Sequence, residues 1–250
     1  MANKYTIIIN NKTGSSQNYN LFSEKPEITG VVKSNIWTNI YQTAQGTPDG
    51  ASAEFEMWKS YYAIVSTWKG GEKTGAKVSI TQTKPVTLGS KAADDTDIPG
   101  TTLNMIAGAG APSFDKAPAS STAWNNSYEV DTGNDFTLED ATDRKYPPVS
   151  LERLQVKSKL DWKGNFFVGL ASSPDGAGSV PTATLRPEPG NQYQIQPVNT
   201  YYIAYGATFQ VAQLLDVAKL GKKPLQIDFT VRGPTVTVNH NPDGQLVIAK

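Results

Sequence analysis

Cysteine is absent from this chain of 250 residues. That excludes disulfides, thiolate metal sites and a cysteine nucleophile. Histidine is almost absent too, with His240 the only one. A histidine-based zinc site needs three or four ligands, so one chain cannot build it. A Ser-His-Asp relay would have to use His240, and no Gly-x-Ser-x-Gly elbow supplies its nucleophile. His240 stands at the mouth of an Asn241–Gly244 turn, where an exposed polar residue is expected. Charge of either sign is not in excess: Lys+Arg and Asp+Glu are both 23. Nucleic-acid binders carry a basic surplus, because phosphate contacts dominate their affinity, so no nucleic-acid partner is expected. A net charge of zero removes self-repulsion and makes a homo-oligomer or larger assembly easier to form. No apolar run approaches the ~20 residues of a membrane-spanning helix. Met1 to Tyr5 leads into a β pattern without a signal-like apolar region, so a cytoplasmic location is the default expectation.

What the chain does have is turn chemistry and alternation. Gly, Pro, Ser, Thr and Asn stand between short β-branched and aromatic runs, the composition of many strands joined by tight turns. Tyr5–Asn10 and Tyr19–Phe22 are strand candidates, and a less regular one runs from Val31 to Ala44. Ala53, Phe55 and Met57 alternate with Glu54 and Glu56, one face for a core and one for water. Tyr61–Trp68 and Ala76–Thr87 follow. Leu154–Trp162 alternates over nine residues, and Lys163-Gly164-Asn165 turns it toward Phe166–Ala171. Leu225–Thr230 and the hairpin around Asn241-Pro242-Asp243-Gly244 close the chain. Only Ala212–Lys219 has helical spacing, and it fits a strand equally well. From Gly89 to Ser150 small and polar residues dominate, which reads as a long loop-rich insertion with two or three short strands over a single domain.

An internal echo runs through the pattern. Gly50 and Gly190 each precede a Tyr-Tyr pair by the same interval, Tyr61-Tyr62 and Tyr201-Tyr202. Lys84-Pro85-Val86 finds a counterpart in Lys223-Pro224-Leu225. Two pseudo-repeated half-sandwiches facing each other would bury the tyrosines between them. The fold class expected is therefore an all-β, antiparallel β-sandwich.

Motifs with catalytic or metal-binding chemistry are weak. Asp131-Thr132-Gly133 matches the aspartic-protease triplet, but that chemistry needs two carboxylates sharing a proton and there is no second copy. Asp131, Asp135, Glu139, Asp140 and Asp143, and separately Asp94, Asp95 and Asp97, offer oxygens for calcium at spacings that fit no known loop. Gly70–Gly75 echoes a phosphate loop in the wrong order. No catalytic residue, metal or cofactor is assigned, and a hydrolase using loop carboxylates is the third-ranked reading.

Aromatic residues are abundant, with 5 Trp and 11 Tyr. Trp162, on the apolar face of an alternating run, belongs to a core. Trp124 is different, standing in Ser120-Ser121-Thr122-Ala123-Trp124-Asn125-Asn126-Ser127 without an apolar neighbour larger than alanine. A tryptophan flanked by amides is suited to stacking on a sugar ring or resting at a lipid headgroup, and it can also plug its loop onto a sheet. Trp124, Asn125 and Asn126 are the ligand-binding residues expected from sequence. Neutral sandwiches with tryptophan-bearing loops are similar in general build to lectins and pore-forming toxins, a likeness of architecture that assigns no residue. The first functional expectation is a non-catalytic recognition protein for carbohydrate or lipid headgroups. A self-assembling structural or storage protein is the second.

Overall fold

A computed structural model of the chain describes residues 4–68, 73–107, 112–117, 119–145 and 163–249. The alternating run Leu154–Trp162, with Trp162 itself, lies outside the described residues, as does part of the Gly70–Gly75 motif. Strands β1 (Lys4–Asn11), β2 (Gln17–Ser23), β3 (Glu27–Thr29), β4 (Trp37–Thr47), β5 (Ser52–Trp68) and β6 (Val78–Val86) come first. The middle of the chain holds β7 (Ser90–Lys91), β8 (Asp97–Ile98), β9 (Thr102–Ile106), β10 (Ser113–Phe114) and β11 (Tyr128–Thr132). A short helix, α1 (Leu138–Asp143), and β12 (Arg144–Lys145) follow. The last part contributes β13 (Lys163–Ser173), β14 (Val180–Leu185), β15 (Gln192–Gln196), β16 (Thr200–Tyr205), β17 (Leu214–Leu215), β18 (Leu225–Asp228), β19 (Thr235–His240) and β20 (Leu246–Ile248).

The fold is all-β with several sheets. The largest runs β18-β16-β2-β4-β14-β13-β5-β1-β19-β20, and β6, β12 and β17 pair onto it. A second sheet runs β10-β9-β11-β15-β3, and β7 and β8 form a small hairpin. Among the described strands pairing is antiparallel except for β1 with β19 and β9 with β11, and an isolated parallel bridge joins Gly89 to Asn125.

Alternation explains why these segments are strands. Along β1 every second residue is buried, which sends Tyr5, Ile7 and Ile9 inward. They meet Ala53, Phe55 and Met57 of β5 and Val236 and Val238 of β19. Tyr19 and Leu21 of β2, Tyr41 of β4, Tyr201 and Ile203 of β16, and Ile227 of β18 complete that core. The large sheet therefore folds over on itself. One layer is β5-β1-β19-β20 and the other β4-β2-β16-β18. On one flank the layers are tied where the Gln42 side-chain amide donates to the Glu56 carbonyl. On the other flank the sheet ends in β18 and β20.

The two tracts expected at 53–57 and 61–68 are one strand of 17 residues. Its first half serves the core just described. In its second half Ala63 and Val65 join Phe166, Val168 and Leu170 of β13 in a second core. The second sheet covers that core with Met105, Phe114, Tyr128, Val130, Tyr193 and Ile195. Three of its strands come from the segment 89–150, so small apolar islands such as Leu103–Ile106 suffice for strands once neighbours pair with them. Ala212–Lys219 resolves into β17 and a short 3-10 turn at Val217–Lys219 rather than an α-helix.

The echoed segments take the same local form. Tyr61 and Tyr62 pair antiparallel with Val86 and Pro85, and Tyr201 and Tyr202 with Ile227 and Gln226. The two strand pairs are offset by two residues in register against the sequence match, and β17 intervenes between β16 and β18. Upstream they diverge, because Phe55 lies in the same strand as Tyr61 whereas Ile195 lies in the second sheet.

Candidate binding surfaces

The Trp124 loop is built from the backbone outward. The chain passes from Ala123, which is buried, through a turn closed by the Ser127 amide donating to the Trp124 carbonyl at 3.1 Å. Asn126 takes the left-handed conformation, with φ of 60°. Asparagine tolerates that conformation better than most residues, so the turn alone accounts for its type. The loop base is stitched to residues on either side of the β7–β8 hairpin. The Gly89 amide donates to the Ser127 carbonyl at 2.9 Å, and the Asn126 amide to the Gly89 carbonyl at 2.8 Å. The Gly100 amide donates to the Ala123 carbonyl at 3.0 Å. Gly89 must be glycine here, since a Cβ would stand 2.2 Å from the Trp124 carbonyl oxygen.

A buried polar network supports the same turn from below. The Trp124 amide donates to the Gln194 Oε1 at 2.9 Å, and the Ser127 hydroxyl lies 2.9 Å from that oxygen. Gln194 in turn donates through Nε2 to Glu129, whose other oxygen accepts from the Thr122 hydroxyl at 2.6 Å. Thr122 is held through its amide by the Thr102 hydroxyl at 2.9 Å. Glu129, Gln194, Ser127 and Thr102 are all buried. Such networks fix geometry because any unmade bond leaves a desolvated polar group.

With its backbone clamped, Trp124 remains 60% exposed. The indole does not plug the loop onto the sheet. Asn125 and Asn126 are exposed on the same turn, so the structure keeps the three sequence-expected residues together at the surface. Ile98, on β8 next to the Gly100 bridge, is 51% exposed and adds apolar surface to this end of the molecule. The β7–β8 hairpin beside the loop is acidic, with Asp94, Asp95 and Asp97 against Lys91. The residues that sequence reasoning missed are Gly89, Glu129 and Gln194. Gln194 and Glu129 meet from strands 65 residues apart, so no local pattern marks either.

The other motifs are absorbed by the fold. Asp131 and Thr132 end β11, and the Gly133 amide donates to the Met105 carbonyl at 3.2 Å, so the triplet forms a turn against β9. Burial and the neighbouring Glu129 push the Asp131 carboxyl above its usual range. Asp135 accepts from the Ala107 amide at 2.7 Å. The side chains of Asp140 and Asp143 fall outside the described set, and no group of three metal-ligating side chains is found among the described residues.

His240 is not exposed. The alternation of β19 sends Val236, Val238 and His240 to the same buried face, and His240 has no accessible surface. Its Nδ1 shares a hydrogen bond of 3.0 Å with the Tyr19 hydroxyl, and its ring lies 4.1 Å from that of Tyr205. Burial holds its pKa below the usual value, with Lys222 adding to that effect and the Gly244 backbone opposing it.

Above Tyr205 opens a groove of about 1180 Å³, on the flank where the large sheet ends. Its lining joins Leu225 and Gln226 of β18 and Gln245 and Leu246 at the start of β20 to Phe22, Tyr202, Val217 and Leu220 of a separate small apolar cluster. Lys25, Lys222 and Lys223 stand around it, and the one carboxylate among the described lining residues, Glu24, accepts from the Tyr202 hydroxyl. Lys222 Nζ lies 3.0 Å from the Tyr205 hydroxyl and 4.3 Å from its ring centre.

No family model, no curated protein and no solved structure matches the chain. The class that fold and site define is an all-β scaffold carrying a clamped, solvent-facing aromatic loop.

Proposed function

We propose that this protein is a non-catalytic recognition protein that binds carbohydrate through the Trp124 loop. The carrying observation is the contrast between a backbone locked by a buried network and an indole left bare at its tip. An exposed indole leaves apolar surface in water until a ligand covers it, and a rigid loop has little entropy left to lose on binding. Sugar rings present an apolar C–H face to an indole and hydroxyls to flanking amides, which Asn125 supplies. Carbohydrate is favoured over anionic lipid headgroups by charge. The neighbouring hairpin carries Asp94, Asp95 and Asp97 against Lys91, and no lysine or arginine lies between Ala119 and Asp143. Acidic surroundings repel phosphate and leave neutral sugars unaffected.

A glycan array run beside neutral and anionic vesicles tests the proposal. Retention of neutral glycans, with no binding to anionic vesicles, is the expected result. Vesicle binding without glycan binding would move the ligand to the headgroup, and a blank on both would remove the site.

A further inference from the structure

The groove on the open flank has features that the Trp124 loop does not explain. Hydrogen-bond parity identifies which backbone groups face it. The Phe229 amide donates to the Asn199 carbonyl, so in the β16–β18 register the bonded pairs are Tyr201 with Ile227 and Ile203 with Leu225. Gln226 and Asp228 then turn their backbone N–H and C=O groups away from β16, toward the open edge. On β20 the Asn241 amide donates to the Gln245 carbonyl and the Ala249 amide to the Thr237 carbonyl. By the same parity Leu246 and Ile248 face outward. Among the described residues nothing pairs with either ladder, and both border the groove. Their side chains continue the first core, since Leu225, Leu246 and Ile248 pack against it.

Spacing and direction suit a single guest strand. Stacked layers lie ~10 Å apart and paired strands ~4.8 Å apart, so one strand placed between two layer edges is within pairing distance of both. Along the sheet path from β18 to β20 every neighbouring pair is antiparallel except β1 with β19. The two edges therefore run the same way, and one strand can be antiparallel to both. Lys25, Lys222 and Lys223 are exposed around the groove, while Glu24 accepts from Tyr202, Asp228 at the end of β18 from Thr230, and Asp243 from the Gln245 amide.

We propose that this flank is a second binding site, which takes an extended acidic peptide as an added strand against β18 and β20. Apolar residues at alternate positions of the guest turn toward Leu225 and Leu246, and carboxylates at the others meet the lysines. Backbone pairing supplies affinity and the rim selects charge.

The probe is an acetylated, amidated peptide of about eight alternating Glu and Val residues, a little longer than a typical strand. Its binding to the full chain is followed by calorimetry, beside an alternating Lys and Val peptide. The acidic peptide should bind and the basic one should not. Methylating the backbone nitrogens of either the Glu or the Val set should weaken binding by at least ~10-fold, since each set faces one edge. Gln226→Pro should act similarly while leaving the fold intact, because the N–H it removes is not used by the β16 ladder. Lys222→Glu combined with Lys223→Glu should also abolish binding. No binding of the acidic peptide would overturn the proposal. So would binding indifferent to methylation of both sets, which would reduce the groove to a general polyanion surface. The methylated probes leave the protein unchanged, so a variant that fails to fold does not remove the test.

Discussion

At the scale of single residues, two side chains stand out because their environments oppose their chemistry. Trp124 is large and apolar yet exposed, and His240 is titratable yet sealed beside Tyr19 and Tyr205. For Trp124 the consequence concerns binding. Trp124→Ala should lower affinity for any array-positive glycan by about 2 kcal/mol or more, roughly 30-fold, as loss of a central aromatic anchor does. Its thermal midpoint should hardly move, since a surface substitution changes stability by only about 0.5 kcal/mol either way. Calorimetric titration and a melting curve on the same sample check both. For His240 the consequence concerns pH. Burial depresses its folded pKa, so below the ordinary value near ~6.5 the unfolded chain takes up a proton that the native chain resists. Stability held above that pH should therefore fall as pH drops from about 7 toward 5. His240→Phe should flatten this slope, while costing roughly 1 kcal/mol at neutral pH for the bond Tyr19 loses. Thermal melts across that range decide it, and parallel slopes for the two proteins would contradict the assignment.

At the scale of elements, the question is what holds the loop rather than what decorates it. Gly89 belongs to the β6–β7 connection, yet its missing side chain sets the position of Trp124. Gly89→Ala forces a methyl against the Trp124 carbonyl and should displace the turn. We expect a stability loss of about 1–3 kcal/mol, typical of overpacking, and weakened glycan binding with the indole still present. Unchanged affinity in that variant would show that the clamp is irrelevant to recognition. The elements also mark where sequence reading succeeds. The continuous Ile7-Ile8-Ile9 run marked β1 as a strand without showing which face it buries. Period-two burial along the first half of β5, β18 and β19 was legible because a half-buried strand must alternate. His240 was not, since its turn-like neighbours Asn241 and Pro242 hide the fact that it completes the inward set of β19. The Glu129–Gln194 network was illegible for a different reason. Its members join only when β11 pairs with β15, a long-range register that neither segment announces alone.

At the scale of the whole molecule, the large sheet is tied across one flank and, among the described residues, ends in β18 and β20 on the other. Open edges invite pairing between copies, which is the physical basis of the assembly alternative. Here they are short, with four residues in β18 and three in β20. Lys222, Lys223 and Pro224 precede β18, and short, charged, proline-flanked edges are the usual guards against self-association. Sedimentation velocity over a wide concentration range should therefore return the mass of one chain throughout. Growth of mass with concentration would favour self-assembly instead. The two proposed sites lie in different parts of the fold, one at the β11 turn of the second sheet and one at the β18–β20 flank. Loss of one should leave the other intact.

The most direct measurement follows the indole N–H signals of ¹⁵N-labelled protein while an array-positive glycan is added. The chain holds five tryptophans, and Trp37 and Trp68 are buried in the core. The Trp124 signal, assigned by its absence from Trp124→Phe, should shift on titration while those of Trp37 and Trp68 stay still. Saturation with the Trp124 signal unmoved would contradict the central claim that this bare indole is the surface on which the ligand rests.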